Sequence, residues 1–343
     1  MSPRIISIAW IDDEDEHRIV AETIKSKNPK MRIFFINSSD VEKDKFQFPL
    51  VDLYLIDDRL YKSKSQIYKR GYSIGARIRE ENPEIPIYLF SEVKDETGIY
   101  RNLAQASESM ADQILEFKEI QENGHNILFW DAEDYKKIRE SEKESIDVLL
   151  KLLKAPEEEY DKIKHALPAN LKNGLSNITS TNYSAGNSIA FARWIRQTFL
   201  ELPGFIYNAS YSSVKIGLKK DYFLKISSKF NTASYTGIFS RSMKEKKWWD
   251  ILLKNMIFKL SIKKFPDETD PRKISRNIFK LNKSDIPKCI VCGEEYPDTI
   301  GLLKDNEEIE EPVHYRCSIS HPKKDRVIYF DEFRQFELHS EDI

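Results

Sequence analysis

Cysteine is scarce in this chain, with three among 343 residues, all in the last fifth of the sequence. The few glycines form no nucleotide-binding loop, and residues 166–288 contain neither histidine nor cysteine. No run approaches the ~20 apolar residues of a membrane helix, and the short apolar start is followed at once by acids, unlike a signal peptide. These absences favour no enzyme class, and they predict a cytoplasmic chain with no membrane partner.

The length of the chain suits two or three domains, and its composition of 32% charged and 40% apolar residues is that of a globular protein. The net charge of −2 conceals three segments of opposite sign. Residues 1–160 carry 24 Lys+Arg against 33 Asp+Glu, residues 161–288 carry 24 against 9, and residues 289–343 carry 6 against 14. A basic middle region is therefore flanked by two acidic ones.

Two apolar runs near the amino terminus end in aspartates. Residues 5–11 precede Asp12 and Asp13, and residues 51–56 precede Asp57. Strand-like runs alternate here with segments of helical spacing, which predicts an α/β fold with a doubly wound parallel sheet. Because the carboxyl ends of parallel strands share one edge, we expect the three carboxylates to meet there and bind a divalent cation.

Residues 1 to about 120 resemble a response-regulator receiver domain. Asp12 and Asp13 match its acidic pair, Asp57 matches its phospho-accepting aspartate, and Ser91 closes a run that matches its fourth strand. The resemblance implies that the three aspartates hold Mg²⁺, that Asp57 takes phosphate, and that Ser91 hydrogen-bonds the phosphate.

Receiver domains also place a lysine at the end of the fifth strand. Phe117 stands near that place here, and Lys118 would serve only after a one-residue slip. Residues 99–117 can hold a helix and the fifth strand, while residues 126–130 are a further apolar run that would suit an added strand, and the sequence does not choose between these interpretations. Beyond it, residues 132–153 have the spacing of a long amphipathic helix, which would link domains or pair with its twin in a homodimer.

The middle region, for which no family resemblance is found, predicts a mainly helical basic domain. Residues 189–200 form a helix with an apolar stripe, and aromatic residues alternate with lysines and arginines further on. Cations neutralise phosphate and rings stack on bases, which favours nucleic-acid binding. The candidate contacts are Lys219, Lys220, Arg241, Lys244, Lys246 and Lys247.

Three alternatives for the middle region stay open. Trp248 and Trp249 can belong to a core with the lysines as a solvated face, or the positive charge can dock onto an acidic partner or the acidic flanks. The acids at residues 266–270 hint at a nuclease metal site, but no spaced Glu-x-Lys partner accompanies them, so a surface turn is the favoured interpretation.

A second metal site is predicted near the carboxyl terminus. Cys289, Cys292, His314 and Cys317 have the spacing C-x2-C-x21-H-x2-C, which suits a closed, structural Zn²⁺ site, with His321 as the rival fourth ligand. The pattern resembles half of a LIM-type module or another treble-clef finger. Acids at residues 305–311 argue against this finger itself contacting DNA.

The predicted organisation is a receiver-like domain at 1–131, a helical linker at 132–166, a basic effector domain at 167–287 and a small zinc-binding domain at 288–343. The first hypothesis is a response-regulator-like signalling protein, acted on by a histidine kinase, whose receiver controls a nucleic-acid-binding effector. The second is a non-enzymatic adaptor of a prokaryotic multi-protein system, such as anti-phage defence or an ATPase-linked assembly. The third is a metal-dependent nuclease.

Overall fold

The computed structural model describes residues 5–43, 46–60, 70–91, 111–141, 146–168, 187–201, 204–261, 264–295, 299–304, 310–314, 317 and 327–329. The chain forms two compact units. Unit 1 comprises Met1–Ala155, Tyr160–Ile195 and Gly237–Ser242, and unit 2 comprises Pro156–Glu159, Arg196–Thr236 and Met243–Ile343. The four domains expected from the sequence stay a prediction. Across the described ranges, no helix is both long and apolar enough to cross a membrane.

The centre of unit 1 is a five-stranded parallel sheet. Its strands are β1 (Ile6–Asp12), β2 (Met31–Asn37), β3 (Leu53–Asp57), β4 (Ile87–Ser91) and β5 (Gln113–Glu116), in the order β2-β1-β3-β4-β5. Every residue of β3 and β4 is buried, as expected for short apolar strands that are covered on both faces. This order is that of a flavodoxin-like doubly wound sheet with its switch point between β1 and β3. The fold class predicted for this part of the chain is confirmed.

The helices of the sheet region are α1 (Asp15–Lys27), the single turn α2 (Ser38–Val41), α3 (Gly71–Glu81) and α4 (Phe117–Ser141). Helix α3 packs Ile74 and Ile78 into the core on one face of the sheet. It begins very close to the end of β3, because a Cβ on Gly71 would lie 2.2 Å from the carbonyl oxygen of Asp57. Glycine is therefore required at that position.

Helix α4 decides between the two interpretations of residues 99–130, because it leaves no added strand at residues 126–130. The strand lies at residues 113–116, and residues 126–130 belong to the helix. The helix begins at residue 117, not at 132, because its apolar residues continue upstream at helical spacing. Its buried apolar residues include Ile120, Ile127, Leu128, Tyr135 and Ile138.

Among the described residues, unit 1 also contains three shorter helices, namely α5 (Ile146–Leu152), α6 (Tyr160–Ala166) and α7 (Asn187–Trp194). Helix α7 is tied to the sheet through Asp112, which precedes β5. Arg79 Nη2 and Arg193 Nε donate to its two carboxylate oxygens at 2.7 and 2.6 Å. Because Arg79 and Asp112 are fully buried, loss of one partner would leave an uncompensated charge.

Residues 237–242 also belong to unit 1, although the residues on either side of them belong to unit 2. Phe239 is buried and adopts a left-handed backbone with φ of 63°. Its amide donates to Asp134 Oδ2 at 2.8 Å, and its ring lies 5.1 Å from that of Tyr135. These contacts stabilise a backbone conformation that is unfavourable for a bulky residue.

The core of unit 2 is built from helices and a short antiparallel pair of strands. The pair is β6 (Ile206–Tyr207) and β7 (Trp248–Trp249), and the helices are α8 (Ala209–Lys215), α9 (Lys220–Ile226), α10 (Asp250–Ser261) and α11 (Pro271–Phe279). Trp248 and Trp249 are 2% and 1% exposed. Of the alternatives for these tryptophans, the core interpretation is therefore right, and their rings cannot stack on bases.

The helix predicted over residues 189–200 is found as α7 followed by the π-helical turn Ile195–Phe199. Its apolar stripe, Phe191, Trp194, Ile195 and Phe199, is buried as expected. Further along, unit 2 contains an antiparallel sheet of β8 (Thr299–Lys304), β9 (Glu310–His314) and β10 (Val327–Tyr329), in the order β10-β8-β9.

Candidate functional site

Two carboxylates meet at the carboxyl end of the parallel sheet. Asp12 and Asp57 are the last residues of β1 and β3, which are neighbours in parallel register. One oxygen of each carboxylate and one ring nitrogen of His17 all lie within 4.8 Å of one another. All three side chains are buried. This group, which we name the Asp-His site, lies at the switch point where open α/β sheets bind ligands.

Asp12 is held by hydrogen bonds on both of its oxygens. The backbone amides of Asp13 and Glu14 donate to Oδ1 at 2.7 and 3.0 Å, and the indole of Trp10 donates to Oδ2 at 3.0 Å. The Nδ1 atom of His17 lies 2.7 Å from the same Oδ2. The orientation of this carboxylate is therefore set by the protein before any ligand arrives.

His17 is a site residue that the sequence reasoning missed. Helix α1 begins at Asp15, directly after the acidic pair, so His17 lies in its first turn beside the end of β1. The rings of Phe90 and Phe117 flank it, with centroids 5.7 and 4.0 Å away. The available signal was its position in the first turn of a helix that follows an acid-ended strand.

Asp57 is a carboxyl group whose charge is strongly disfavoured. Burial raises its pKa to about 8, and the charges of Asp12 and Asp13 act in the same direction. The backbone amide of Arg59, which donates to Oδ1 at 3.0 Å, and the imidazole of His17 oppose this rise. At neutral pH the side chain is thus mostly protonated unless a cation is bound nearby.

The lysine position of the resemblance is occupied by an aromatic ring. Phe117 is buried, stacks on Phe90 at 5.6 Å and contacts His17. Lys118 is 79% exposed and lies 3.9 Å from Glu122 on the surface of α4. The assignment of Lys118 to the site is therefore wrong, because α4 starts at Phe117 and directs the next side chain into solvent.

The other expected residues lie at the same end of the sheet. Asp13 is buried and directly follows β1, and Ser91 is the last residue of β4. Phe90, the neighbour of Ser91, pairs in register with Asp57. Four of the five expected receiver-site residues thus lie at the carboxyl ends of adjacent strands, and the roles implied for them stay predictions.

The donor set of this edge fits a divalent cation. Carboxylate oxygens are the ligands that Mg²⁺ prefers, and Asp12 and Asp57 supply them, with Asp13 buried next to Asp12. A cation there would balance carboxylates that are otherwise crowded and buried. The imidazole of His17 adds a nitrogen, which first-row transition cations accept more readily than Mg²⁺ does.

Cys289, Cys292, His314 and Cys317 come together as the second cluster, each offering an atom within 4.8 Å of the others. The imidazole Nδ1 lies 3.2 Å from Cys292 Sγ and 3.9 Å from Cys317 Sγ. The amide of His314 donates to Cys289 Sγ at 3.3 Å. Three sulfurs and one nitrogen around one point fit tetrahedral Zn²⁺.

The local backbone supports this metal knuckle. Gly293 has φ of 74°, and its amide donates to the carbonyl of Cys289 at 2.8 Å. Desolvation and the neighbouring sulfurs raise the pKa of Cys317 to about 11, so the thiols cannot all be thiolates without a cation. The rival ligand His321 lies outside the described residues.

The predicted nucleic-acid contacts are placed in different surroundings. Lys219, Lys220, Lys244 and Lys246 are exposed on unit 2. Lys247 is buried, and its ammonium contacts the carbonyl of Leu200, so its assignment to a binding surface is wrong. Lys247 directly precedes the buried strand that begins at Trp248.

Arg241 lies in unit 1 rather than with the exposed lysines. Its Nη2 donates to Glu133 at 2.6 Å and to Asp134 at 2.9 Å. Its charge is therefore balanced within unit 1, and its predicted contact with nucleic acid competes with this pairing.

The acids at residues 266–270 have structural partners. Asp270 caps α11 by accepting from the amide of Arg272 at 3.0 Å, and Glu268 accepts from the amide of Asp270 at the same distance. Capping acids of this kind stabilise a helix start. The arrangement favours the surface-turn interpretation over a nuclease site.

Neither protein-family models nor curated proteins match this chain. Similar solved structures are receiver domains or contain one. The receiver domain of an HD domain-containing protein from Pseudomonas fluorescens Pf-5 is 16% identical, with a TM-score of 0.32, over 41% of this chain and 95% of that one. The BeF3-activated DrrB receiver domain is 19% identical, with a TM-score of 0.25, over 33% and 84%. NtrX from Brucella abortus is 18% identical, with a TM-score of 0.31, over 40% of this chain and only 29% of its own length.

Proposed function

We propose that the chain is a signalling protein of response-regulator type, in which the carboxylate edge of unit 1 receives the input. The observation that carries this proposal is the convergence of Asp12 and Asp57 at the switch point of the parallel sheet. The charge of this buried acid depends on a bound cation, so a chemical change at the carboxylate edge alters the charge of the site. Phosphorylation of Asp57 by a partner kinase is the change we expect.

The residues of the edge have separate tasks in this proposal. Asp12, Asp13 and Asp57 would hold Mg²⁺, which when bound supplies positive charge that keeps Asp57 an anion and offsets charge on an incoming phosphoryl group. The hydrogen bonds from Trp10 and two backbone amides keep Asp12 aimed. Ser91 would donate its hydroxyl to a phosphoryl oxygen.

Labelling with acetyl phosphate tests the input site. The full chain should take up one phosphoryl group when Mg²⁺ is present, and Asp57→Asn should abolish the uptake. Asp58→Asn is the matched control, because Asp58 is the adjacent buried acid and lies 3.7 Å from Arg70. Labelling that persists in Asp57→Asn, or that is lost equally in Asp58→Asn, contradicts the assignment.

A second function is favoured by one observation, the aromatic residue at the lysine position. With Phe117 in place of this lysine, the unit can serve as a protein-binding adaptor that does not take phosphate. A folded wild-type chain that acetyl phosphate and Mg²⁺ fail to label would support this adaptor role, whether in a defence system or an ATPase-linked assembly.

We further propose that unit 2 carries the output, by binding the phosphates of nucleic acid. Two of its exposed lysines are anchored by local hydrogen bonds. The amide of Lys219 donates to the carbonyl of Asp285 at 2.9 Å, and Lys246 donates to Asn231 Oδ1 at 2.7 Å. Because the tryptophans are buried, this surface offers charge without exposed indole rings. Binding should therefore depend on the phosphate backbone rather than on bases.

Salt dependence tests the output. Retention on double-stranded DNA should weaken steeply between about 50 and 300 mM salt, and removing two phosphate contacts should lower the log–log slope by about 2. The test variant is Lys219→Gln with Lys220→Gln, and the control is Lys254→Gln, whose lysine is paired with Asp250 at 2.6 Å. Equal retention at both salt concentrations contradicts nucleic-acid binding.

A further inference from the structure

We infer that the Asp-His site prefers a first-row transition cation, for which Mn²⁺ is the probe, over Mg²⁺, with His17 as a nitrogen ligand. The inference deepens the proposed function of the same edge and rests on it, since it concerns which cation occupies that edge. It adds a residue that the resemblance to receiver domains does not imply.

The geometry brings one nitrogen and two carboxylate oxygens into range of a single ion. The three donor atoms lie within 4.8 Å of one another. Donors bound at about 2.0–2.2 Å to one ion are separated by up to about 4.4 Å, so adjustments of a few tenths of an ångström complete the set. His17, Asp12 and Asp57 are 2%, 0% and 5% exposed, so all three side chains are buried.

The imidazole is positioned by packing and not only by Asp12. Phe117 and Phe90 lie against the ring at 4.0 and 5.7 Å. A ring held in this way loses little conformational freedom when it binds a metal. The protein therefore holds a nitrogen donor beside its carboxylates, in a pocket whose other walls are aromatic.

The chemistry of the donors decides which ion is favoured. Mg²⁺ demands oxygen ligands and retains its waters, whereas transition cations accept imidazole together with carboxylate. Lys118 brings no charge to this place because it lies on the surface of α4. A cation bound through both donor types gains affinity from His17 that Mg²⁺ does not.

Titration of the zinc-loaded full chain with Mn²⁺, followed by the electron paramagnetic resonance signal of the free ion, measures the affinity, and competition with Mg²⁺ gives the preference. Because thiolates favour zinc, the zinc-loaded cysteine cluster should not bind Mn²⁺. His17→Phe keeps the ring packing and removes the nitrogens, while His17→Asn keeps a donor for Asp12. His165→Asn on exposed α6 is the control.

We expect both His17 variants to lose at least about tenfold in Mn²⁺ affinity, with Mg²⁺ affinity changed by less than about threefold. Equal losses for the two ions would mean that His17 only orients Asp12, and would overturn the inference. Asp57→Asn distinguishes a failure of this inference from a failure of the proposed input site. If it abolishes binding of both ions while the His17 variants behave like wild type, only the inference fails. If Asp57→Asn changes neither ion, the proposed input site fails with it.

Discussion

The ring of Phe117 lies on the imidazole of His17, with centroids 4.0 Å apart. Phe90 packs against both rings, so one wall of the Asp-His site is apolar. The resemblance to receiver domains implies a lysine at this place. A packed aromatic ring thus stands where the resemblance implies a lysine, and an imidazole nitrogen lies 2.7 Å from Asp12 Oδ2.

Asp57→Asn should stabilise the metal-free protein at high pH. Because burial raises the pKa of Asp57 to about 8, the folded state binds this proton more tightly than the unfolded state. Folding stability should therefore fall as pH rises from about 4 to about 8, and the asparagine variant should escape this fall. The expected gain at pH 9 is on the order of a few kcal/mol, since a tenfold change in proton affinity is about 1.4 kcal/mol.

Urea unfolding at pH 5 and pH 9, with a chelator present, measures this difference. The gain should be far smaller at pH 5 than at pH 9, because at pH 5 the folded-state Asp57 is neutral and only the ionisation of the unfolded-state carboxyl opposes folding. A gain that is equal at both pH values would show that the carboxylate does not titrate in this window.

Phe117→Ala should cost about 3–5 kcal/mol in the free energy of unfolding, because it removes a buried ring from contact with Phe90 and His17. Lys118→Ala is the neighbouring control and should stay within about 0.5 kcal/mol of wild type. Chemical denaturation measures both. Similar costs for the two variants would contradict the burial of Phe117.

Gly71→Ala should destabilise unit 1 by about 1–3 kcal/mol, because the new methyl group would meet the carbonyl oxygen of Asp57 at 2.2 Å. Gly75→Ala lies one helical turn further along α3. There the nearest atom would be 3.6 Å away, so alanine should be neutral or stabilise by up to about 1 kcal/mol. Thermal unfolding of the two variants should therefore shift in opposite directions or by clearly different amounts.

The cysteine cluster should bind one zinc ion per chain. Cys289→Ser and His314→Asn should each lose it, whereas His321→Asn should retain it. Metal content after dialysis is the measurement, and a strong chelator should lower the melting temperature of the wild type, because a structural ion contributes its binding energy to folding. Retention in His314→Asn with loss in His321→Asn would reverse the ligand assignment.

Much of the sheet could be predicted because its signals are local. The strands are short apolar runs, and those that end at Asp12 and Asp57 carry their acids to one edge once the sheet is parallel. The cysteine spacing was equally informative. The ligands form two pairs that are each close in sequence, so a single reversal of chain direction brings the pairs together.

The features that the sequence did not predict depend on the residue at which an element begins or on contacts between residues far apart in the sequence. The sequence put Phe117 near the lysine position, but the exposure of Lys118 could be predicted only by knowing that α4 begins at Phe117, because a shift of one residue turns a side chain from the interior to solvent. Residues 126–130 look like a strand in isolation and are helical because they continue the buried stripe of α4. The pairing of Arg193 with Asp112 joins positions far apart in the sequence and leaves no local pattern.

The return of residues 237–242 to unit 1 bears on how the protein can be shortened. A chain that stops after residue 195 keeps the whole parallel sheet, yet it leaves Asp134 without the amide of Phe239 and the guanidinium of Arg241. Such a fragment would expose a buried acid and the ring of Tyr135. A fragment made by truncating the chain after residue 195 is therefore expected to misfold or aggregate, because unit 1 needs residues 237–242 to be complete.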